Sequence, residues 1–138
     1  AIKNTIGDRS IPYLIKVSPD LSEEQMKMVV RLSVQNGAAG FTATNTTVSR
    51  DGLKTTHVEL DTIGAGGLSG RPLHERALST VRFIRSLTDL PIVAVGGISS
   101  VTHAQSFIDA GASLVQLYSG FVYEGPKLIR NIALELRL

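Results

Sequence analysis

The chain has 138 residues, a formal net charge of +2, 43% hydrophobic and 19% charged residues, and no cysteine. That composition is ordinary for one soluble globular unit, and the length is that of one ordinary domain, enough to bury a core. The near-neutral balance without a dense basic run argues against nucleic acid, the lack of cysteine excludes disulfides and thiolate chemistry, and no apolar run approaches the ~18 residues of a membrane span.

The start, Ala1-Ile2-Lys3-Asn4, does not have the form of a signal peptide and reads as a short polar lead-in from within a longer protein. Tyr13-Leu14-Ile15, continuing past Lys16 to Val17, is a short β-rich run between Pro12 and Pro19, which fits a buried strand. Ser22-Glu23-Glu24-Gln25 has capping-box form, and Met26, Val29, Val30 and Val34 follow at helical spacing until Gly37. A second strand, Gly40 to Thr44, ends in Asn45-Thr46-Thr47. The glycine-rich connection from about Val48 to Arg71 is too long for an ordinary turn, and such loops are usually functional or disordered. A helix from about Pro72 to Leu87 carries Leu73, Ala77, Val81 and Ile84 on one stripe. A third strand, Ile92 to Val95, stops at Gly96-Gly97, and a helix near Val101 to Ala110 stops at Gly111. A fourth strand, Leu114 to Leu117, ends in Tyr118-Ser119-Gly120, and a last helix begins near Pro126 with Leu128, Ile129, Ile132 and Leu136. Short apolar strands alternating with amphipathic helices imply a parallel sheet, with right-handed crossovers placing the helices on one side if the sheet curls toward a barrel.

Ligands of parallel α/β sheets bind at the carboxyl ends of the strands. The polar and glycine residues fall there in every unit: Lys16, then Thr44 to Thr47, then Gly96-Gly97, then Tyr118-Ser119-Gly120. A strand-borne lysine either snorkels or pairs with an acid, or it holds an anion, a Schiff base or an electron-rich cofactor edge. Asn45-Thr46-Thr47 is either turn chemistry or a set of hydrogen-bonding groups for a planar polar ligand. Val95-Gly96-Gly97-Ile98 before a helix is a nest whose N–H groups can close on a phosphate, and Tyr118-Ser119 falls one unit later, where barrels commonly complete such a site. The G-x-G-x-x-G dinucleotide fingerprint is missing. His57, His74 and His103 have no metal-ligand spacing and are expected at the surface, and no nucleophile–base pair can be named.

Five segments in order resemble one family. Leu14-Ile15-Lys16-Val17-Ser18-Pro19-Asp20-Leu21, Thr44-Asn45-Thr46-Thr47-Val48-Ser49-Arg50, Gly66-Gly67-Leu68-Ser69-Gly70-Arg71-Pro72-Leu73, Val95-Gly96-Gly97-Ile98 and Gly111 to Tyr118 are similar to class 2, quinone-dependent dihydroorotate dehydrogenases. The resemblance covers nearly the whole chain. It implies an α/β fold in which residues 1–138 form the C-terminal half, four βα units, of an FMN-binding TIM (β/α)8 barrel. It implies oxidation of dihydroorotate to orotate in pyrimidine synthesis, with hydride passing to FMN and a quinone reoxidising it. Lys16, Thr44, Gly70, Gly97, Tyr118 and Ser119 match cofactor-binding positions, the last three at the FMN phosphate. Asn45 and Thr46 match positions that hydrogen-bond the pyrimidine. No catalytic base is expected in this chain: the family's serine base, its further substrate asparagines and the amino-terminal helices of the quinone tunnel belong to the preceding half. The parent enzymes lie peripherally on the mitochondrial inner or bacterial cytoplasmic membrane. The competing expectation is a non-catalytic half-barrel that acts in assembly, closing its two strand edges and apolar inner face against the other half or in a homodimer. A phosphate-binding isomerase barrel would explain Gly96-Gly97 but not the run from Thr44 to Arg50.

Overall fold

A computed structural model describes Thr5 and residues 11–137; the lead-in read over Ala1 to Asn4 lies outside the described residues. Four strands, β1 (Leu14–Val17), β2 (Gly40–Ala43), β3 (Ile92–Val95) and β4 (Leu114–Gln116), form one all-parallel sheet in sequential order. The helices are α1 (Glu23–Gln35), α2 (His57–Ile63), α3 (His74–Arg85), α4 (Val101–Asp109), α5 (Ser119–Glu124) and α6 (Pro126–Glu135), with a 3-10 turn at Arg71–Leu73 leading into α3. Sequential parallel order with every crossover on one face is the arrangement of four consecutive units of a (β/α)8 barrel, as expected.

The period-2 alternation of the strands decides which side is covered. Register pairs Ile15 with Phe41 and Phe41 with Ile92, and likewise Val17 with Ala43 and Ala43 with Ala94. Phe41, Ala43, Ile92 and Ala94 are fully buried, and they meet Val30, Ala77, Val81, Ile84, Ala104 and Phe107 of the helices in a single apolar core. The opposite face carries Leu14, Lys16, Thr42, Val93, Val95, Leu114 and Gln116 and has no covering layer among the described residues. Leu114 is 63% exposed and Leu14 46%. On the helix side the core is therefore complete, and on the inner side the sheet is bare.

Local chemistry accounts for the element ends. Ser22 and Gln25 form the expected reciprocal capping box, with Gln25 N–H to Ser22 Oγ at 3.3 Å and Ser22 N–H to Gln25 Oε1 at 2.9 Å. Asn36 caps the end of α1, one residue before Gly37. Val34, expected on the buried stripe, is exposed; Met26 and Val30 carry the packing. Arg85, at the end of α3, donates to the carbonyls of Gly111, Thr88 and Leu90 at 3.0, 2.9 and 3.0 Å. One side chain thus fixes both the approach to β3 and the turn before β4.

Two helices were not anticipated. The connection read as a loop from Val48 to Arg71 contains α2, which begins with its own capping box, Thr56 and Glu59. Tyr118-Ser119-Gly120, read as the end of a strand, opens the one-and-a-half-turn α5. α2 buries none of its residues, so it leaves no apolar periodicity in the sequence.

Candidate functional site

All eight residues singled out from the sequence converge on one cleft of about 240 Å³ at the carboxyl end of the sheet: Lys16, Thr44, Asn45, Thr46, Gly70, Gly97, Tyr118 and Ser119. Sequence reasoning missed Gln116, which reaches the cleft from the inner face of β4, and Ser69. The period-2 pattern of β4 places Gln116 on the same face as Lys16, a signal that could have found it.

Lys16 is exposed on the bare inner face and makes no hydrogen bond or ion pair among the described residues. Beyond β2 the chain is held between its neighbours: Thr44 N–H donates to Val95 O at 2.7 Å and Asn45 N–H to Val17 O at 2.7 Å. Thr44 is 2% exposed, and the peptide between Ala43 and Thr44 is cis. Asn45 and Thr46 project toward the cleft from backbone that the flanking strands have fixed.

The long connection folds back onto this cluster. Thr47 and Leu68 exchange backbone hydrogen bonds at 3.1 and 2.7 Å as an antiparallel bridge, and Arg50 donates to Gly66 O at 2.6 Å. Gly67 passes so close to the Thr46 side chain that any Cβ would overlap it. Ser69 Oγ lies 2.9 Å from Ser119 Oγ, which joins the loop to the end of β4. Outside the cleft, Asp20 knits three elements together. It accepts from Thr47 Oγ1 at 2.5 Å and from Val48 N–H at 2.8 Å, and it lies 3.3 Å from Arg76 Nη1. The Thr47 hydroxyl, then the Val48 N–H and Arg76, hold its carboxyl below the usual carboxylate range against a partial desolvation penalty.

The glycine turn after β3 forms the other end of the cleft. Gly97 has φ +66°, and a Cβ there would sit 2.8 Å from Gly70 O, His74 N and His74 Cβ. Only glycine supplies both the left-handed backbone and this close approach. Beneath the turn lies His74, which is buried at 8% exposure, a correction to its expected surface position. Its ring stacks on His103 at 4.2 Å between centroids and meets the edge of Phe107 at 5.3 Å. His74 opens α3 with its side chain toward the core, and a lone histidine at a helix start gives no periodic signal of that orientation. His103 is half-buried, and His57 is exposed on α2.

The dihydroorotate dehydrogenase family model matches residues 2–138. The chain is 48% identical over 125 residues to the dihydroorotate dehydrogenase (quinone) of Rhodococcus erythropolis, covering 89% of this chain and 35% of the relative. It is 49% identical over 137 residues to that of Salinispora arenicola, covering 96% and 39%. The crystal structure of the Eimeria tenella dihydroorotate dehydrogenase with ferulenol superposes with a TM-score of 0.81 at 32% identity, covering 90% of this chain and 33% of that one. The ligand-free structure from the same organism gives 0.80 at 33% identity, with 89% and 34% coverage. The chain spans little more than a third of the length of these curated relatives. A family match along almost the whole chain, agreeing with the sheet order and with the convergence of five separate motifs on one cleft, shows that this chain belongs to the dihydroorotate dehydrogenase family.

Proposed function

We propose that residues 1–138 supply four of the eight βα units of a quinone-type dihydroorotate dehydrogenase barrel, and that the cleft is their share of the FMN and dihydroorotate site. The observation that carries this reading is the convergence of all eight residues on one cleft, with the unpaired Lys16 on β1 and the Gly97 turn after β3. The residues fit a flavin mononucleotide in kind. A tight glycine nest suits a phosphate, Thr44 and Gly70 line the middle, and a free lysine suits the electron-rich end of a flavin ring. When bound, FMN would supply the two-electron acceptor that no side chain of this chain provides. Lys16 would place a fixed positive charge where negative charge develops, and Asn45 and Thr46 would orient the pyrimidine by hydrogen bonds.

The cleft's volume is below the roughly 300–1,000 Å³ of a complete small-molecule pocket, which suits a site that has one wall elsewhere. The bare inner face, with Leu14, Leu114 and Gln116, would be covered by the remaining units, which would also bring the base that takes the substrate proton. A second copy of the half-barrel is the other cover for that face. None of the described helices is long and apolar enough to cross a membrane.

Lys16→Ala in the complete barrel tests the reading. Losing one charge-stabilising group from a dry site should slow flavin reduction by dihydroorotate by about 10²–10³ while FMN stays bound. Normal reduction by the variant would remove the role given to Lys16, and a complete barrel that binds no FMN would remove the cofactor assignment.

A further inference from the structure

Neither the flavin reading nor the family resemblance uses His74 and His103, yet both lie directly against the Gly96–Ser99 turn. Gly97 rests on the backbone and Cβ of His74 with no room for a side chain between them. His103 Nδ1 lies 3.4 Å from the Ser99 N and 3.3 Å from Ser99 Oγ, and the Ser99 hydroxyl also accepts from Arg71 Nε at 3.2 Å. The two imidazoles stack at 4.2 Å, and His74 Nδ1 is buried without a hydrogen-bond partner. The turn is thus supported on the side away from the cleft by a pair of titratable rings.

We propose that the stacked imidazoles of His74 and His103 are positioning residues for the phosphate nest, and that they hold the Gly96–Ser99 turn in its anion-binding shape only while both are uncharged. The inference rests on the reading of that turn as a phosphate site. Three contacts carry it. His103 Nδ1 can accept the Ser99 N–H only when it bears no proton. Burial disfavours a charge on the His74 ring, against the Gly96 backbone and Glu75, which favour it. Two stacked imidazolium rings would repel, and burial disfavours even a single one. The charged groups nearby are few. Glu75 on α3 is 3.9 Å from His74 Nε2, and Arg71 approaches Ser99 from the far side; Phe107 of α4 adds no charge. Burial and then His103 hold His74 below the ordinary imidazole value, and Glu75 and a hydrogen bond to the Gly96 backbone oppose them.

The test measures FMN and inorganic phosphate binding in the complete barrel between about pH 7.5 and pH 5.5, for wild type, His74→Gln and His103→Gln. Phosphate ionisation near pH ~6 weakens binding equally in all three proteins. Wild type is expected to lose about tenfold more affinity than either variant across that range, one pH unit of linked protonation. Saturating phosphate should also push the NMR titration of His74 to lower pH, as reciprocal linkage requires. Parallel pH slopes in all three proteins overturn the proposal. So does a wild type that gains affinity on acidification, which would mean that imidazolium attraction for phosphate dominates. If His74→Gln does not fold, the half-buried His103→Gln decides. If wild type binds phosphate but not FMN, the flavin reading fails and the phosphate titration alone judges the imidazole pair. Binding of neither probe overturns both.

Discussion

Gly97→Ala is the sharpest probe of the site, because the structure separates its cost into two parts. Alanine at φ +66° occupies the left-handed region, which costs an L-residue roughly 1–2 kcal/mol. Its Cβ would also lie 2.8 Å from Gly70 O, His74 N and His74 Cβ, and two of these are backbone atoms of the loop and helix that frame the cleft. Overpacking of this kind costs about 1–3 kcal/mol, and the total comes to about 2–5 kcal/mol. Gly64→Ala is the matched control. Gly64 has φ +84° and ψ −169° with nothing within 4 Å of the added Cβ, so it should carry only a backbone cost, of about 1–3 kcal/mol. Denaturant unfolding of the complete barrel measures both. The overlap at Gly97 can be relieved only by moving the turn away from His74, so FMN affinity should fall by at least about tenfold, while Gly64→Ala binds normally. If Gly97→Ala unfolds no more easily than Gly64→Ala and binds FMN as wild type does, the turn is not the tight cradle argued here.

Arg85→Ala should destabilise the protein by about 2–4 kcal/mol, since three charge-assisted bonds to carbonyls are lost from a half-buried position. Arg85→Lys should recover only part of this, because one ammonium cannot reach three carbonyls; a cost below about 0.5 kcal/mol in thermal or denaturant unfolding would contradict that role. Asp20→Asn should flatten the acid limb of the stability curve. The Asp20 carboxyl is held below its unfolded value of 3.8, so its contribution is fully present above that value and disappears as pH falls through the lower folded one. Acid-unfolding curves of wild type and Asp20→Asn that run parallel would show that the link among Asp20, Thr47 and Arg76 carries no stability.

The sheet and its helices were legible because their signals are local. Pro12, Pro91, Gly37 and Gly111 punctuate the chain, the strands are short apolar runs, and apolar residues recur near 3.6 in α3. The positions of Lys16, Asn45, Gly97 and Ser119 were legible for a related reason: in a parallel sheet every strand end points to the same mouth, so finding the ends finds the site. What escaped was set by tertiary contact. α2 packs no residue into the core, so only its capping box marks it, and the surrounding glycines hide that signal. α5 exists because the chain must turn sharply over Ile98, where Gly120 allows the backbones to touch. His74 is buried by its place under Gly97 and against His103, a relation between residues 23 and 29 positions apart that no local window contains.

The same contacts explain how half of a barrel can present a formed site. The helix-side core, centred on Phe41, Ile84, Ile92 and Phe107, fixes the order and register of the four strands without help from the inner face. Strand register then fixes where each strand ends. The loops beyond those ends are tied to one another by short-range bonds: Asp20 to Thr47 and Val48, Thr47 to Leu68, Ser69 to Ser119, and Ser99 to His103 and Arg71. The ties from Asp20 to Thr47 and Val48, from Ser69 to Ser119 and from Arg71 to Ser99 join different units, so the Gly97 end of the cleft depends on four strands and not on eight. Lys16 and Gln116 differ in kind. They stand on the bare inner face, at the two outer strands, where nothing in these four units packs against them. The Gly97 end should therefore keep its shape in these four units, while the placement of Lys16 requires whatever closes the inner face.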